Sequence, residues 1–200
     1  MQMINNQARW EKNARLGFKY FNKGMVLLWK LGLADWINVW PTLFGQIMVL
    51  SHTGRKSGYR RLTPVNYAIL DEEIYCCAGF GAVSDWYQNI LKNPQVEIWL
   101  TEGRWLGKAE DVSEHPDRRR ILREVLIASG FAAPLFGIHP KQLNDAEIDQ
   151  LTRSYRLIHI VRIDEKTGRD GPGELAWIWP LITVILLFRK GRRIKETKKR

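Results

Sequence analysis

The residues best suited to chemistry lie between positions 49 and 96. Gly54 and Gly58 bracket Arg55, Lys56 and Ser57, and glycine admits the positive φ angles that a tight reversal needs. Successive backbone N–H groups with cationic side chains at such a turn make a pocket for a phosphate or carboxylate. Arg60 and Arg61 follow directly. Further along, Gly79 and Gly81 flank Phe80 at a strand end, where missing side chains let a flat ligand approach the backbone. Ser84 or Asp85 can then start a helix, with Asp85 and Gln88 at capping-box spacing, and Asn93-Pro94 stops it. One stretch thus offers an anion clamp, an open glycine shelf and a helix N-terminus.

Other chemistries find little support. His52, His115, His139 and His159 are scattered without metal-ligand spacing, so no metal is expected. His159, on an apolar strand face, reads as a satisfied core histidine. The turn lacks the GxxxxGK[ST] spacing of a P-loop, and neither GxGxxG nor GxSxG occurs. His52, Tyr67, Tyr87 and Tyr155 are able to give a proton. None is singled out, and the catalytic residue is left unassigned. The plain alternative for Arg55 and Lys56 is a solvated turn.

The elements that must position these residues follow from periodicity. Residues 49–52 form a short strand, and 62–70 pair with 74–78 across Asp71, Glu72 and Glu73. A strand over 95–101 turns at Glu102-Gly103 into a return strand over 104–112. Pro116 suits the first turn of a helix reaching about Ser129. Its run Arg118-Arg119-Arg120 reads as an exposed face rather than a phosphate site. Residues 130–140 form an apolar loop that either covers a ligand or crosses the surface. Asn144 with Glu147 marks another helix start, and 156–164 alternates as a final strand, with Leu157, His159 and Val161 on one face. Near the N-terminus, residues 8–33 carry a helical period through Ala14, Phe18, Phe21, Met25 and Leu28, with lysines and an arginine between. This helix either packs across the sheet or lies on an anionic membrane. Trp36 and Trp40 are core anchors or interface residues.

Of the 200 residues, 45% are hydrophobic, which suits one domain with a core. Cys76 and Cys77 supply no disulfide framework, suit a reducing compartment and read as small, partly buried apolar residues. No signal peptide is expected. The net charge of +10 is concentrated after position 188, where eight basic residues meet one acidic residue, Glu196. The charge therefore argues poorly for nucleic-acid binding by the body, and none is expected. The run LAWIWPLITVILLF over 175–188 is short for a span, which needs about 20 residues. It follows a Gly-rich linker and is flanked by tryptophan and dense positive charge, as an interface anchor requires. Membrane attachment is favoured, as a span or as shallow or re-entrant insertion.

T-G-R-K-S-G at 53–58, Thr63-Pro64, and W-Y-x-N-I-x-x-N-P at 86–94 together resemble the deazaflavin-dependent nitroreductase family. The close likeness covers about a quarter of the chain and a looser one its middle two-thirds. Three motifs in the right order make it specific.

The resemblance implies an FMN-binding-like split β-barrel; with the flanking helices and the apolar C-terminal tail read above, the expected fold class is α+β. Residues 1–41 would form an N-terminal helical segment, 42–168 the barrel, and 169–200 the linker, membrane-associating run and basic tail. It further implies a reductase that passes a hydride from reduced coenzyme F420 to a quinone-like, nitro or other activated acceptor. FMN is the runner-up cofactor, and a non-enzymatic, membrane-tethered cofactor-binding protein is the other alternative. Carried over by position, Arg55, Lys56, Ser57 and Arg61 would hold the cofactor's phosphate and acidic tail. Pro64 and the Ala78, Gly79, Phe80, Gly81 backbone would lie along the ring, and Trp86 would wall the site. Arg60 stands where relatives commonly carry proline, and could compensate for a lysine missing between Gly79 and Trp86. Gly79 stands where better-known members carry serine. The expected partners are a small-molecule acceptor and membrane lipid, a homodimer is admitted, and the expected place is the cytoplasmic face of a membrane.

Overall fold

The computed structural model describes residues 17, 20–38, 45–130, 132–135 and 137–197. Its centre is a closed antiparallel barrel of six strands: β1 (Ile47–Thr53), β2 (Arg60–Leu70), β3 (Glu73–Ala78), β4 (Gln95–Leu100), β5 (Gly103–Asp111) and β6 (Arg156–Glu165). Around the barrel the order is β1-β2-β3-β6-β5-β4, and β4 closes on β1. The helices are α1 (20–30), α2 (Ala34–Asn38), α3 (Asp85–Lys92), α4 (Arg118–Ala128), α5 (Ala132–Leu135), α6 (Asp145–Leu151) and α7 (Ile178–Thr197). The α+β split-barrel class expected from the sequence is the one found.

Strand alternation builds the core. Met48, Leu50, Val65, Tyr67, Ile74, Cys76, Ile98, Leu100, Ile158 and Ile160 all point inward and are buried together. Each large apolar side chain contributes about 1.5–3 kcal/mol by leaving water. Every residue of β1 up to His52 is buried, on both faces, because α1 lays Trp29 over Val49 and Trp99 on its outer side. The opposite flank is covered by α4, whose Ile121, Leu122 and Val125 pack on Ala68 and Leu157. Asp71 and Glu72 take φ of 52° and 69° and close the β2–β3 hairpin as a two-residue reversal.

Several details differ from the sequence reading. α1 buries Met25 and Trp29, whereas Phe21 is exposed; Ala14, Phe18 and Trp40 lie outside the described residues. α4 begins at Arg118 instead of Pro116. His159 is no core histidine: it stands on the outer face of β6, stacks on Tyr75 at 5.0 Å and pairs with Glu73 at 2.7 Å. Inward places on β6 go to Ile158 and Ile160, because the face shared by Leu157 and His159 is the outer one. The segment at 130–140 is pinned to α4, where Arg123 donates to the carbonyls of Pro140 and Leu143. Phe131 and Phe136 lie outside the described residues.

The Gly-rich stretch after β6 is strapped to the barrel. Arg60 donates to the Asp170 carbonyl and Arg104 to that of Arg169. Lys166 reaches Glu97 at 2.7 Å. Gly173 and Leu175 then donate backbone bonds to the carbonyls of Trp29 and Lys30, and Lys30 pairs with Glu174 at 2.6 Å. Trp179 Nε1 donates to the Leu31 carbonyl. The first turn of α7 is therefore fixed to the end of α1.

Candidate functional site

Antiparallel pairing decides where the chemistry gathers. The end of β1, the start of β2, the end of β3 and the start of β6 all lie at one mouth of the barrel. The 54–59 turn and the 79–84 loop consequently meet there. β2 pairs with β1 from Arg60 to Asn66 but with β3 only from Tyr67 onward. The first half of β2 thus faces a split between itself and the segment following Ala78. Pro64 stands in this half-paired stretch, opposite Val49, the setting in which a strand tolerates a residue without an N–H.

α3 plugs this mouth. Tyr87 and Ile90 enter the barrel core and Trp86 packs against it half-buried. Asn89, also buried, holds the basic turn: its Oδ1 accepts from Arg55 N at 3.0 Å and Arg55 Nη1 at 3.1 Å. That assignment leaves its Nδ2 to donate to His52 Nδ1 at 3.3 Å. The remaining His52 nitrogen, Nε2–H, donates to Thr63 Oγ1 at 3.0 Å. A relay from turn to helix to β1 to β2 results. His52 is held neutral, its pKa lowered to about 4 by burial and then by the Arg61 charge. Gln88 Nε2 donates to the Ala82 carbonyl at 2.8 Å, so the same helix also ties down the glycine loop.

The four cations of the basic turn divide by partner. Arg55 is spent on structure, with Asp85 Oδ1 at 2.9 Å in addition to Asn89. Arg60 departs from the expected role altogether. Its guanidinium meets Ser51 Oγ, Glu97 Oε1 and the Asp170 carbonyl, and lies 5.7 Å from the Trp99 ring. Alternation along β2 places it on the outer face, and it reaches across β1 toward β4, away from the split. Lys56 is exposed with no ion-pair partner among the described residues, and Arg61 is exposed with a single long bond, 3.4 Å, to Ser57 Oγ. Lys56, Ser57 and Arg61 are the members of the expected clamp free to meet an anion.

The shelf also divides. Ala78 is a core residue, 1% exposed and paired with Arg156. Gly81 is buried with φ +65°, and a Cβ there would stand 2.3 Å from the Ser154 carbonyl oxygen. Packing against Ser154 accounts for that glycine. Gly79 is exposed, and a Cβ on it would meet nothing closer than the Tyr155 ring at 3.8 Å. Phe80 is 55% exposed and Tyr59 72% exposed, both at this mouth. Ser84 precedes α3 but makes no cap; its Oγ is buried with no hydrogen-bond partner among the described residues, and Asp85, expected in a capping box with Gln88, serves Arg55 instead. An orphaned hydroxyl, two available cations and a bare backbone at Gly79 fit an anionic planar ligand.

Of the groups able to give a proton, Tyr87 donates to Asp111 Oδ2 and has its pKa pushed up to about 12 by burial and that bond. Tyr67 is inside the barrel and likewise raised to about 12, chiefly by burial. His52 is committed to Asn89 and Thr63. Tyr155 alone of these four lies against Gly79.

Thr63 and Asn89, present in the sequence only as letters of the matched motifs, become the partners of His52 in the fold. The signal was the pairing of a buried-strand histidine with an amide one helical turn into α3, which no spacing rule connects. A separate cavity of about 490 Å³ lies between α4 and α6, lined by Arg118, Arg119, Arg120, Arg123, Asp145 and Asp149. Its arginines are taken by Thr152, Asp149, Asp71 and Asp145, so it is a solvated brace between helices.

Residues 38–132 match the family model described as F420H(2)-dependent quinone reductase. Among curated proteins none matches the sequence. Solved structures with similarity include a conserved hypothetical protein from Mycobacterium tuberculosis, 22% identical, covering 66% of this chain and 79% of that one at a TM-score of 0.47. An F420-H2 dependent reductase is 21% identical over 57% of this chain and 93% of its own, at a TM-score of 0.43. A third, described as a domain-swapped dimer, is 20% identical over 69% and 94%, at a TM-score of 0.45.

Proposed function

We propose that this chain, whose residues 38–132 match the family model described as F420H(2)-dependent quinone reductase, is an oxidoreductase that passes a hydride from reduced coenzyme F420 to a quinone-like, nitro or other activated acceptor, at the cytoplasmic face of a membrane. The observation that carries this reading is the pair of available cations, Lys56 and Arg61, at the same mouth as the bare backbone of Gly79.

When bound, a reduced deazaflavin supplies the hydride, so the protein's part is placement, electrostatics and exclusion of water. Lys56, Ser57 and Arg61 would hold its phosphate and acidic groups through charge-assisted bonds. Gly79, Phe80 and Pro64 would line the ring, and Trp86 would back it. The Arg55–Asn89–His52–Thr63 relay keeps the turn rigid, so its cations need little reorganisation to meet an anion. A lipid-soluble acceptor would concentrate where the chain meets a bilayer.

Mixing the purified chain with reduced F420 and menadione tests the reading. Oxidation of the deazaflavin with quinone consumption is expected. Lys56→Ala with Arg61→Ala should weaken F420 binding by at least about tenfold, given about 1.5–3 kcal/mol for each charged hydrogen bond, with the melting temperature unchanged. FMN retention without F420 binding would move the assignment to a flavin enzyme on the same barrel. Tight F420 binding without turnover across a broad acceptor panel would make the chain a cofactor-binding protein.

A further inference from the structure

We infer that α7, with the exposed aromatic face of α1 and α2, forms one apolar platform that seats the protein in the plane of an anionic lipid surface without crossing it. The inference deepens the membrane placement proposed above and is independent of which cofactor the barrel holds. Residues 179–187 of α7 are exposed on every side of the helix, with Leu181 53%, Ile185 57% and Leu187 63% accessible. A helix that is apolar all round belongs in a core or in lipid, and among the described residues this one is bonded to the body through Trp179, in its first turn. Tyr20 and Leu27 of α1 and Trp36 of α2, the last 78% exposed, are further exposed apolar residues on α1, whose end holds the root of α7, and on the helix that follows it.

Three observations choose the occupant. Positive charge follows the apolar residues directly: eight basic residues and Glu196 occupy positions 189–200, a net of +7. A second copy would bring another +7 against it, whereas anionic headgroups would neutralise it. Length excludes a crossing. The helical apolar stretch, 178–188, measures about 16 Å against a hydrocarbon core of about 30 Å, and no helix among the described residues is long and apolar enough to span. Attachment sets the orientation. The Trp179–Leu31, Lys30–Glu174 and Arg60–Asp170 bonds fix the root of α7 to α1 and to the outer face of β1 and β2. The barrel cannot swing freely on a tether, and the β1–β2 side faces the lipid.

Flotation of the full chain with vesicles tests this, using phosphatidylcholine alone and phosphatidylcholine mixed with phosphatidylglycerol. Binding should be at least tenfold tighter to the anionic vesicles, since each basic residue strengthens such binding roughly fivefold. Replacing Arg189, Lys190, Arg192 and Arg193 by glutamine lowers the net charge of the tail from +7 to +3 and should weaken that preference at least about tenfold. Leu181→Glu with Ile185→Glu should abolish binding to both vesicles while F420 binding persists. A fluorophore on Leu186→Cys, compared with similarly treated wild type, should be quenched best by lipids labelled near the headgroup. Equal binding to both vesicles, quenching strongest at the bilayer centre, or a stable dimer that buries α7 and ignores vesicles would each overturn the inference. F420 reduction of menadione in detergent reads the function separately, so loss of vesicle binding with retained turnover removes the platform alone.

Discussion

Lowering the pH from about 7 to about 4 should cost this protein stability through one buried side chain, His52. In the unfolded chain its imidazole takes a proton near the ordinary value of 6.5, but in the native protein only near 4. Between those values the unfolded state binds more protons than the native one, so stability falls as the pH falls; it is fully present above 6.5. At about 1.4 kcal/mol per pH unit, the gap amounts to about 3 kcal/mol. The structural cause is double. The ring is 4% exposed, and its Nδ1 must stay bare to accept from Asn89. A protonated ring would face the Asn89 amide with donor against donor and release the atom that holds Arg55. Urea unfolding of wild type and His52→Gln between about pH 7.5 and about pH 4.5 gives the measurement, because glutamine can still donate and accept but does not titrate. Wild type should lose roughly 2–3 kcal/mol more than the variant over that range. Parallel curves, or an NMR titration of His52 near 6.5, would refute the relay. Glu97 and Asp111 have lowered pKa values despite burial, through their bonds to Lys166 and Ser113 respectively, and so titrate below the ordinary carboxylate range in both proteins; the difference between them isolates His52.

Three further outcomes follow from the same geometry. Gly79→Ala should leave the fold intact and weaken ligand binding, whereas Gly81→Ala should destabilise by at least about 1–3 kcal/mol through φ strain and the Ser154 contact; thermal melts beside binding titrations separate them. Glu97→Ala removes the shared partner of Arg60, Arg104 and Lys166, and leaves Arg104, 7% exposed, without its carboxylate. Breaking a buried pair costs about 3–5 kcal/mol, and proteolysis of the 166–176 strap should accelerate with it. Arg55→Ala should lower stability by roughly 1–2 kcal/mol through its bonds to Asn89 and Asp85, in contrast to Lys56→Ala, which should not move the melting temperature.

What the sequence determined by itself was what neighbours along the chain decide. The Asp71-Glu72 reversal, the strands it joins, and the capping box of Asn144 with Glu147 were all legible, because each is a matter of backbone preference or of bonds spanning three residues. The barrel class was legible too, but only through the family resemblance that three motifs carry. What a side chain spends its charge on was not. Arg55 and Arg60 are of like type and lie five residues apart, yet one is held by Asn89, 34 residues on, and the other by the Asp170 carbonyl, 110 residues on. Strand alternation and barrel closure choose between those partners, and neither is a property of the motif. The same holds for His159, whose face is outward, and for Ser84, whose cap never forms because α3 is positioned by its buried side instead. Which cations remain free for a ligand is therefore a tertiary fact: long-range contacts consume the charges they can reach, and a site is built from those left over.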